Sequence, residues 1–245
     1  MCVDLGKHIM NLLAIEQSTR KCSIALTCNG EARAHLNWDS STTERQHLYE
    51  KLPEILKKGD IAPNAIDHYV IGLGPGAFSG IRSAIATCRG LAQPDATPVS
   101  GIASTAVTAF KALQTDPTSN VHVIGDARRE RYWHASYGLV DGRLQTQQIP
   151  QLLEADALKS LIATDDVVLS PDFDRITDML ATLAKKGCRV TEEANVPDAR
   201  DLAALALDAL AAGETLAAPV PVYLHPAVFV APRFPAAPKT DAVGG

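Results

Sequence analysis

The sequence predicts an α/β protein built from two similar lobes, and three observations predict it. Apolar strand signals alternate with segments of helical period along the chain, the pattern of sheets covered by helices. Read in order, they give β-β-β-α-β-α-β-α and then the same series again. In each half the first strand ends at or near an acid, Glu16 or Asp126. The second then leads into a two-residue hairpin turn, Asn29-Gly30 or Asp141-Gly142.

In the first half, "LLAIE" at 12–16 is an apolar strand, "CSIALTC" at 22–28 alternates, and a third strand covers 31–37. A helix over 43–58 places Leu48, Leu52, Ile55 and Leu56 on one face. A strand at 67–72, a glycine loop, a helix at 80–92, a strand at 97–101 and a helix at 103–115 follow. The second half repeats this with strands at 121–127, 131–140 and 143–149, a helix at 151–163 and a strand at 167–170. Ser170-Pro171 opens a helix carrying Phe173, Ile176, Leu180 and Leu183 and closing at Gly187. A strand at 188–191 and a helix from Asp198 to Gly213 complete it. The lobes are 11–116 and 117–214. Residues 1–10 read as a disordered extension, with Met10 an alternative start, and 215–245 as a proline-rich tail whose last part is disordered. Tyr223 and Leu224 are expected to pack back on the body.

The net charge of −5 argues against a protein whose main task is gripping nucleic-acid phosphates. "DARRER" at 126–131 is the densest basic cluster, but acids flank it and it reads as a solvated turn. Five cysteines without CxxC spacing suit a reducing cytoplasm. No apolar run approaches the ~20 residues of a membrane span. Seven histidines form no HxxxH or HExxH, so no metal site is expected, and no GxSxG elbow offers a nucleophile.

Two halves facing each other across a cleft are the plan of the actin-like superfamily, the ribonuclease H-like fold of sugar kinases and chaperone ATPases, where phosphates bind between the lobes. Gly72, Gly74, Gly76 and Gly80 precede a helix N-terminus, a natural anion site, although no Walker lysine follows. Ser18, Thr19, Gly74 and Gly76 are therefore candidate nucleotide-binding residues. Glu16-Gln17 stand where that plan usually has Asp and a small residue; a left-handed backbone at Gln17 would cost about 1–2 kcal/mol. The helix behind the loop has a core stripe of Ile81, Ala84, Ile85, Cys88 and Leu91 (or Ala92) and a second face of Ser83, Ala86, Thr87 and Gly90. Such small residues suit a helix from another subunit, or a helix buried on both sides within the domain. The neighbouring helix would add His47, Lys51 and Glu54 to a subunit interface.

"LLAIEQSTRKCSIALTCNGE", "GLGPGAFSGIRSAIATCRGLA", "PVSGIASTAVTA", "VIGDARRERYWHASY" and "PVPVYLHP" resemble the TsaB (YeaZ) family over residues 10–226. The resemblance implies a non-catalytic subunit in the synthesis of threonylcarbamoyladenosine in tRNA. It implies pairing with the catalytic subunit TsaD through the helices at 43–58 and 80–92, with the ATPase subunit TsaE joining them. A homodimer through the same surface is expected without TsaD, ATP or ADP and Mg belong to the assembled complex, and tRNA is met through it. Pro75, Gly80 and Arg82 are expected to structure the loop. Glu16-Gln17 replace the family's Asp-Thr, and Arg45-Gln46-His47 a serine-containing helix start. The alternative is an ATP-dependent small-molecule kinase or ATPase of the same superfamily.

Overall fold

The computed structural model describes residues 10–40 and 48–224. Residues 1–9, 41–47 and 225–245 lie outside the described residues, and with them the expected extension, His47 and the end of the tail. The first half contains β1 (Asn11–Glu16), β2 (Lys21–Cys28), β3 (Glu31–Asp39), α1 (Leu48–Gly59), β4 (His68–Gly72), α2 (Phe78–Ala92), β5 (Val99–Ile102) and α3 (Ser104–Thr115). The second contains β6 (Val121–Asp126), β7 (Arg131–Val140), β8 (Arg143–Glu154), α4 (Ala155–Leu161), β9 (Val167–Leu169), α5 (Thr177–Lys185), β10 (Arg189–Val190) and α6 (Ala199–Ala211).

Each half forms a mixed five-stranded sheet, β3-β2-β1-β4-β5 and β8-β7-β6-β9-β10, which correspond position for position. The first three strands of each are antiparallel and the last two join in parallel. The hairpin turns have the left-handed pairs their sequences promise, Asn29 and Gly30 at φ 53° and 82°, Asp141 and Gly142 at 51° and 75°. This duplicated topology is the actin-like fold.

The third helix of each half crosses to the other sheet. On one face of the first sheet Leu13, Ile15, Ile24, Leu26 and Ile71 are covered by α1 and α2 through Leu52, Ile55, Ile81, Ala84 and Cys88. On its other face Leu12, Ala14, Ala25 and Val70 meet Leu202, Ala203 and Ala206 of α6, with Val107 of α3 alongside. The rest of α3, through Ala106, Ala109 and Leu113, packs on Val121, Val123, Trp133 and Tyr137 of the second sheet. Both faces of the central strands are thus buried, which is why they read as unbroken apolar runs.

Two helix expectations in the second half need correction. Residues 151–154 are not helical; they extend β8, pairing Leu152 with Trp133, Leu153 with Tyr132 and Glu154 with Arg131. The long β7 offers ladder positions there, and Pro150 is tolerated because β8 is an edge strand. The helix expected from Ser170-Pro171 is broken into a single 3₁₀ turn, Phe173–Arg175, followed by α5. Asp172 accepts the Asp126 N–H at 3.1 Å, which holds this segment to the end of β6.

Candidate functional site

The first candidate site is the turn leaving β1. Glu16 is fully buried. One carboxylate oxygen accepts the Ser18 N–H at 2.7 Å and the other the Ser104 hydroxyl at 2.8 Å. Burial pushes the Glu16 carboxyl above the ordinary carboxylate value, and the bonds from Ser18 and Ser104 oppose that shift. Ser104, at the start of α3, accepts the Gly74 N–H at 3.0 Å, and its own N–H donates to the Gly74 carbonyl at 2.9 Å. Thr105 beside it meets the Tyr137 hydroxyl of the second lobe at 2.7 Å. Glu16 therefore ties strand β1 to the glycine loop and to the lobe junction.

The loop glycines face this turn. A Cβ at Gly72 would overlap the Glu16 carboxylate, one at Gly76 the Ser18 carbonyl, and one at Gly80 the Gln17 carbonyl. Gly74, at φ 85°, takes a conformation that suits glycine, and its bond to Pro75 is cis. The Ala77 N–H donates to the Ser18 carbonyl at 2.6 Å. Gly72, Gly76 and Gly80 thus let the loop lie directly against residues 16–18. Thr19 bonds the Lys21 carbonyl at 2.8 Å. Gln17 is not left-handed, so the anticipated strain is absent. Ser18 Oγ and Gln17 Oε1 are buried without a hydrogen-bond partner among the described residues.

The second candidate site is the outer face of α2. Ile81, Ala84, Ile85, Cys88 and Ala92 are buried, as the period requires. Ser83, Ala86 and Gly90 are exposed and Thr87 is half-buried. Among the described residues, nothing beyond its own helix lies within 4 Å of where a Cβ would stand at Gly90. Among the described residues this side of the helix is exposed, with Ala86 bordering a groove shared with Pro219, Val220, Pro221 and Tyr223 of the tail. On the adjacent α1, Glu54 holds Lys51 at 2.9 Å and Lys58 at 3.0 Å. Arg82 lies over Phe78, within the glycine segment between Gly72 and Gly80. Its guanidinium lies 4.2 Å from the Phe78 ring centre and reaches the Tyr223 hydroxyl at 3.4 Å, fastening the tail to the start of α2. The tail also pairs at Ala217 with Gly101 and at Val222 with the Leu73 carbonyl, so the expected return to the body holds.

Sequence reading missed a third cluster. His122 lies between His134, at 2.8 Å, and Asp166, at 3.1 Å, all three buried in the second lobe. Strand register alone could have found it, since β6 and β7 set residues 122 and 134 diagonally. Among the described residues no group of three His, Cys, Asp or Glu is arranged to hold a metal ion. Burial pushes the Cys88 thiol up to about 12 and Cys22 to about 11, which leaves both unreactive.

The family model described as TsaD, tRNA N6-adenosine threonylcarbamoyltransferase, matches residues 40–218. The tRNA threonylcarbamoyladenosine biosynthesis protein TsaB of Escherichia coli is 27% identical over 227 residues, 88% of this chain and 95% of that protein. YeaZ from Pseudomonas aeruginosa superposes with a TM-score of 0.72 at 27% identity, covering 88% of this chain and all of that one. The chain belongs to this family, as a TsaB (YeaZ) member. TsaB of Haemophilus influenzae is more similar over a shorter stretch, 33% over 119 residues, and there the match spans about half of each chain (49% and 50%). The departure from the TsaB pattern at Glu16-Gln17 is now explained locally. The longer Glu side chain spans from β1 to Ser104, and Gln17 fits beneath Gly80. The departure at Arg45-Gln46-His47 lies outside the described residues.

Proposed function

We propose that this chain is the non-catalytic subunit of a tRNA threonylcarbamoyladenosine-synthesising complex, docking through α1 and α2 on the catalytic subunit TsaD. The observation that carries the reading is the largely exposed small-residue face of α2, Ser83, Ala86, Thr87 and Gly90, on a helix whose opposite side is packed on the core. Small side chains let a partner helix approach closely, and Lys51 and Glu54 border the face on α1. Family membership and the names of the relatives place the role in tRNA modification. The same surface serves for a homodimer when TsaD is absent, and TsaE joins the assembled pair. His47, outside the described residues, completes the α1 side.

The test is Gly90→Glu. Such an interface buries about 1,200–2,000 Å², and a charge in its close-packed centre should abolish capture of TsaD while the monomer keeps its melting temperature. A strain carrying only this variant should lose threonylcarbamoyladenosine from its tRNA nucleosides by mass spectrometry. Retention of pairing would refute the surface.

One observation favours a second reading. Ser18 Oγ and Gln17 Oε1 are buried polar atoms without partners among the described residues, beside the N-terminus of α2, as an ATP-dependent kinase or ATPase would require. The seal of residues 16–18 over Gly72, Gly76 and Gly80 weighs against it, and nucleotide and Mg are assigned to the assembled complex. Calorimetry of the isolated chain with ATP and magnesium decides: no heat is expected, and micromolar binding lost in Ser18→Ala would favour the kinase.

A further inference from the structure

The turn joining β6 to β7 has the most contorted backbone of the described chain. Arg128, Arg129 and Glu130 follow one another at φ 63°, 54° and 60°, a left-handed run made without glycine. Residues with a Cβ disfavour that region, and such runs persist only where surrounding bonds impose them. Here they do. The Asp126 carboxylate accepts the Arg128 N–H at 2.7 Å and the Ala127 N–H donates to the Arg131 carbonyl at 3.0 Å. The Arg131 N–H donates to the Arg128 carbonyl at 3.2 Å, and Asp172 holds the Asp126 N–H.

This fixed turn presents cations that no described residue neutralises. Arg128 and Arg129 are exposed and Arg131 is half-buried. Glu130 shares the turn and Glu154 is the register partner of Arg131, yet among the described residues none of the three guanidiniums has an ion pair or hydrogen bond. Elsewhere in the same half Arg143, Arg175, Arg189 and Arg200 each hold a carboxylate. In a chain of net charge −5, three neighbouring free guanidiniums on a rigid turn form a local field opposite to the whole.

We infer that this turn is a contact for the phosphate backbone of RNA, and, resting on the function proposed above, of the tRNA handled by the complex. The planar fork of Arg matches a phosphate with two parallel bonds. A preformed turn presents two forks without the cost of ordering them on binding. The exposed residues at its tip, Arg128, Arg129 and Glu130, are all charged. A protein partner would call for an apolar centre, which this tip lacks. Phosphate contacts orient RNA without reading its sequence, which suits a subunit that positions a substrate for another chain's chemistry.

The test is Arg128→Asn combined with Arg129→Asn, since Asn tolerates the left-handed region and the fold is kept, as circular dichroism would verify. Binding of unmodified tRNA is measured across a salt series for the full chain alone and for its pair with TsaD. The expected result is about tenfold weaker binding and a slope of log K against log salt shallower by about 1.5–2, with pairing intact. Unchanged affinity and slope would overturn the inference. So would an absence of tRNA binding by both forms of the parent protein, or a loss of pairing with unaltered tRNA binding, which would mark the turn as a protein contact. If the parent chain does not pair with TsaD, the functional reading fails, while salt-dependent tRNA binding by the chain alone, weakened in the double variant, would still uphold the turn.

Discussion

The turns after β1 and β6 occupy the same place in two copies of one topology, and they are built to opposite ends. Both begin with an acid whose side chain accepts the N–H two residues on, Glu16 from Ser18 and Asp126 from Arg128, each at 2.7 Å. The first turn is then sealed: Glu16 is fully buried and the glycine loop closes over residues 16–18. The second stands open, with a left-handed backbone and three arginines that have no partner among the described residues. The difference teaches that a duplicated fold constrains the strand and the first bond of the turn but not its environment. Environment decides whether the same local device serves stability or contact.

Removing the acid from each turn gives the largest contrast. Glu16→Ala leaves the Ser18 N–H and the Ser104 hydroxyl buried without an acceptor and should cost about 2–5 kcal/mol. Asp126→Ala frees one N–H near solvent and should cost about 1 kcal/mol. Equal losses in urea unfolding would erase the distinction.

Acid and alkali should separate the lobes next. His134 is fully buried, and burial pushes its pKa down to about 4, with the neighbouring His122 acting in the same direction. The unfolded chain, with its ordinary histidine value of 6.5, binds the proton first as pH falls. Stability from this site is therefore complete above about pH 6.5 and is lost toward pH 4, by up to about 3 kcal/mol. Glu16 runs the other way: its raised carboxyl contributes fully below the ordinary Glu value and loses stability as pH rises through the folded one. His134→Asn should flatten the acid limb of a pH–stability curve and Glu16→Gln the opposite limb. An acid limb that survives His134→Asn would assign it elsewhere.

The smallest effect concerns the backbone. Glu130→Gly removes a left-handed residue with a Cβ and should raise stability by about 1 kcal/mol. Thr19→Gly, in a turn with no such strain, should lower it by about 0.5–1 kcal/mol as the Thr19 bond to Lys21 is lost and the unfolded chain gains freedom. Thermal melts with the same sign for both would break the comparison.

Much of this was legible in the residues. The doubled element order, the two hairpin turns and the core stripe of α2 follow from side-chain period and from glycine and asparagine chemistry, which act within a few residues. The small-residue face of α2 was legible as a face, but not its exposure. α3 is equally rich in Ser, Ala and Thr, yet its residues 104–110 are all buried between the two sheets, whereas Ser83, Ala86 and Gly90 of α2 meet no such neighbour. Local pattern cannot separate those cases, because burial on a second side comes from elements far along the chain. The same reason hid the end of β8, set by register with β7, and the reach of Arg82 to Tyr223.

By itself, then, the sequence determined the elements, their doubled order and the surfaces each could offer, since these depend on short-range backbone and side-chain preferences. Only the tertiary structure decided that Glu16 is sealed and that, among the described residues, the small face of α2 is exposed and the arginines of the second turn have no partner. Those outcomes depend on which distant atoms fill the neighbouring space, and above all on the crossing of α3 and α6 between the sheets.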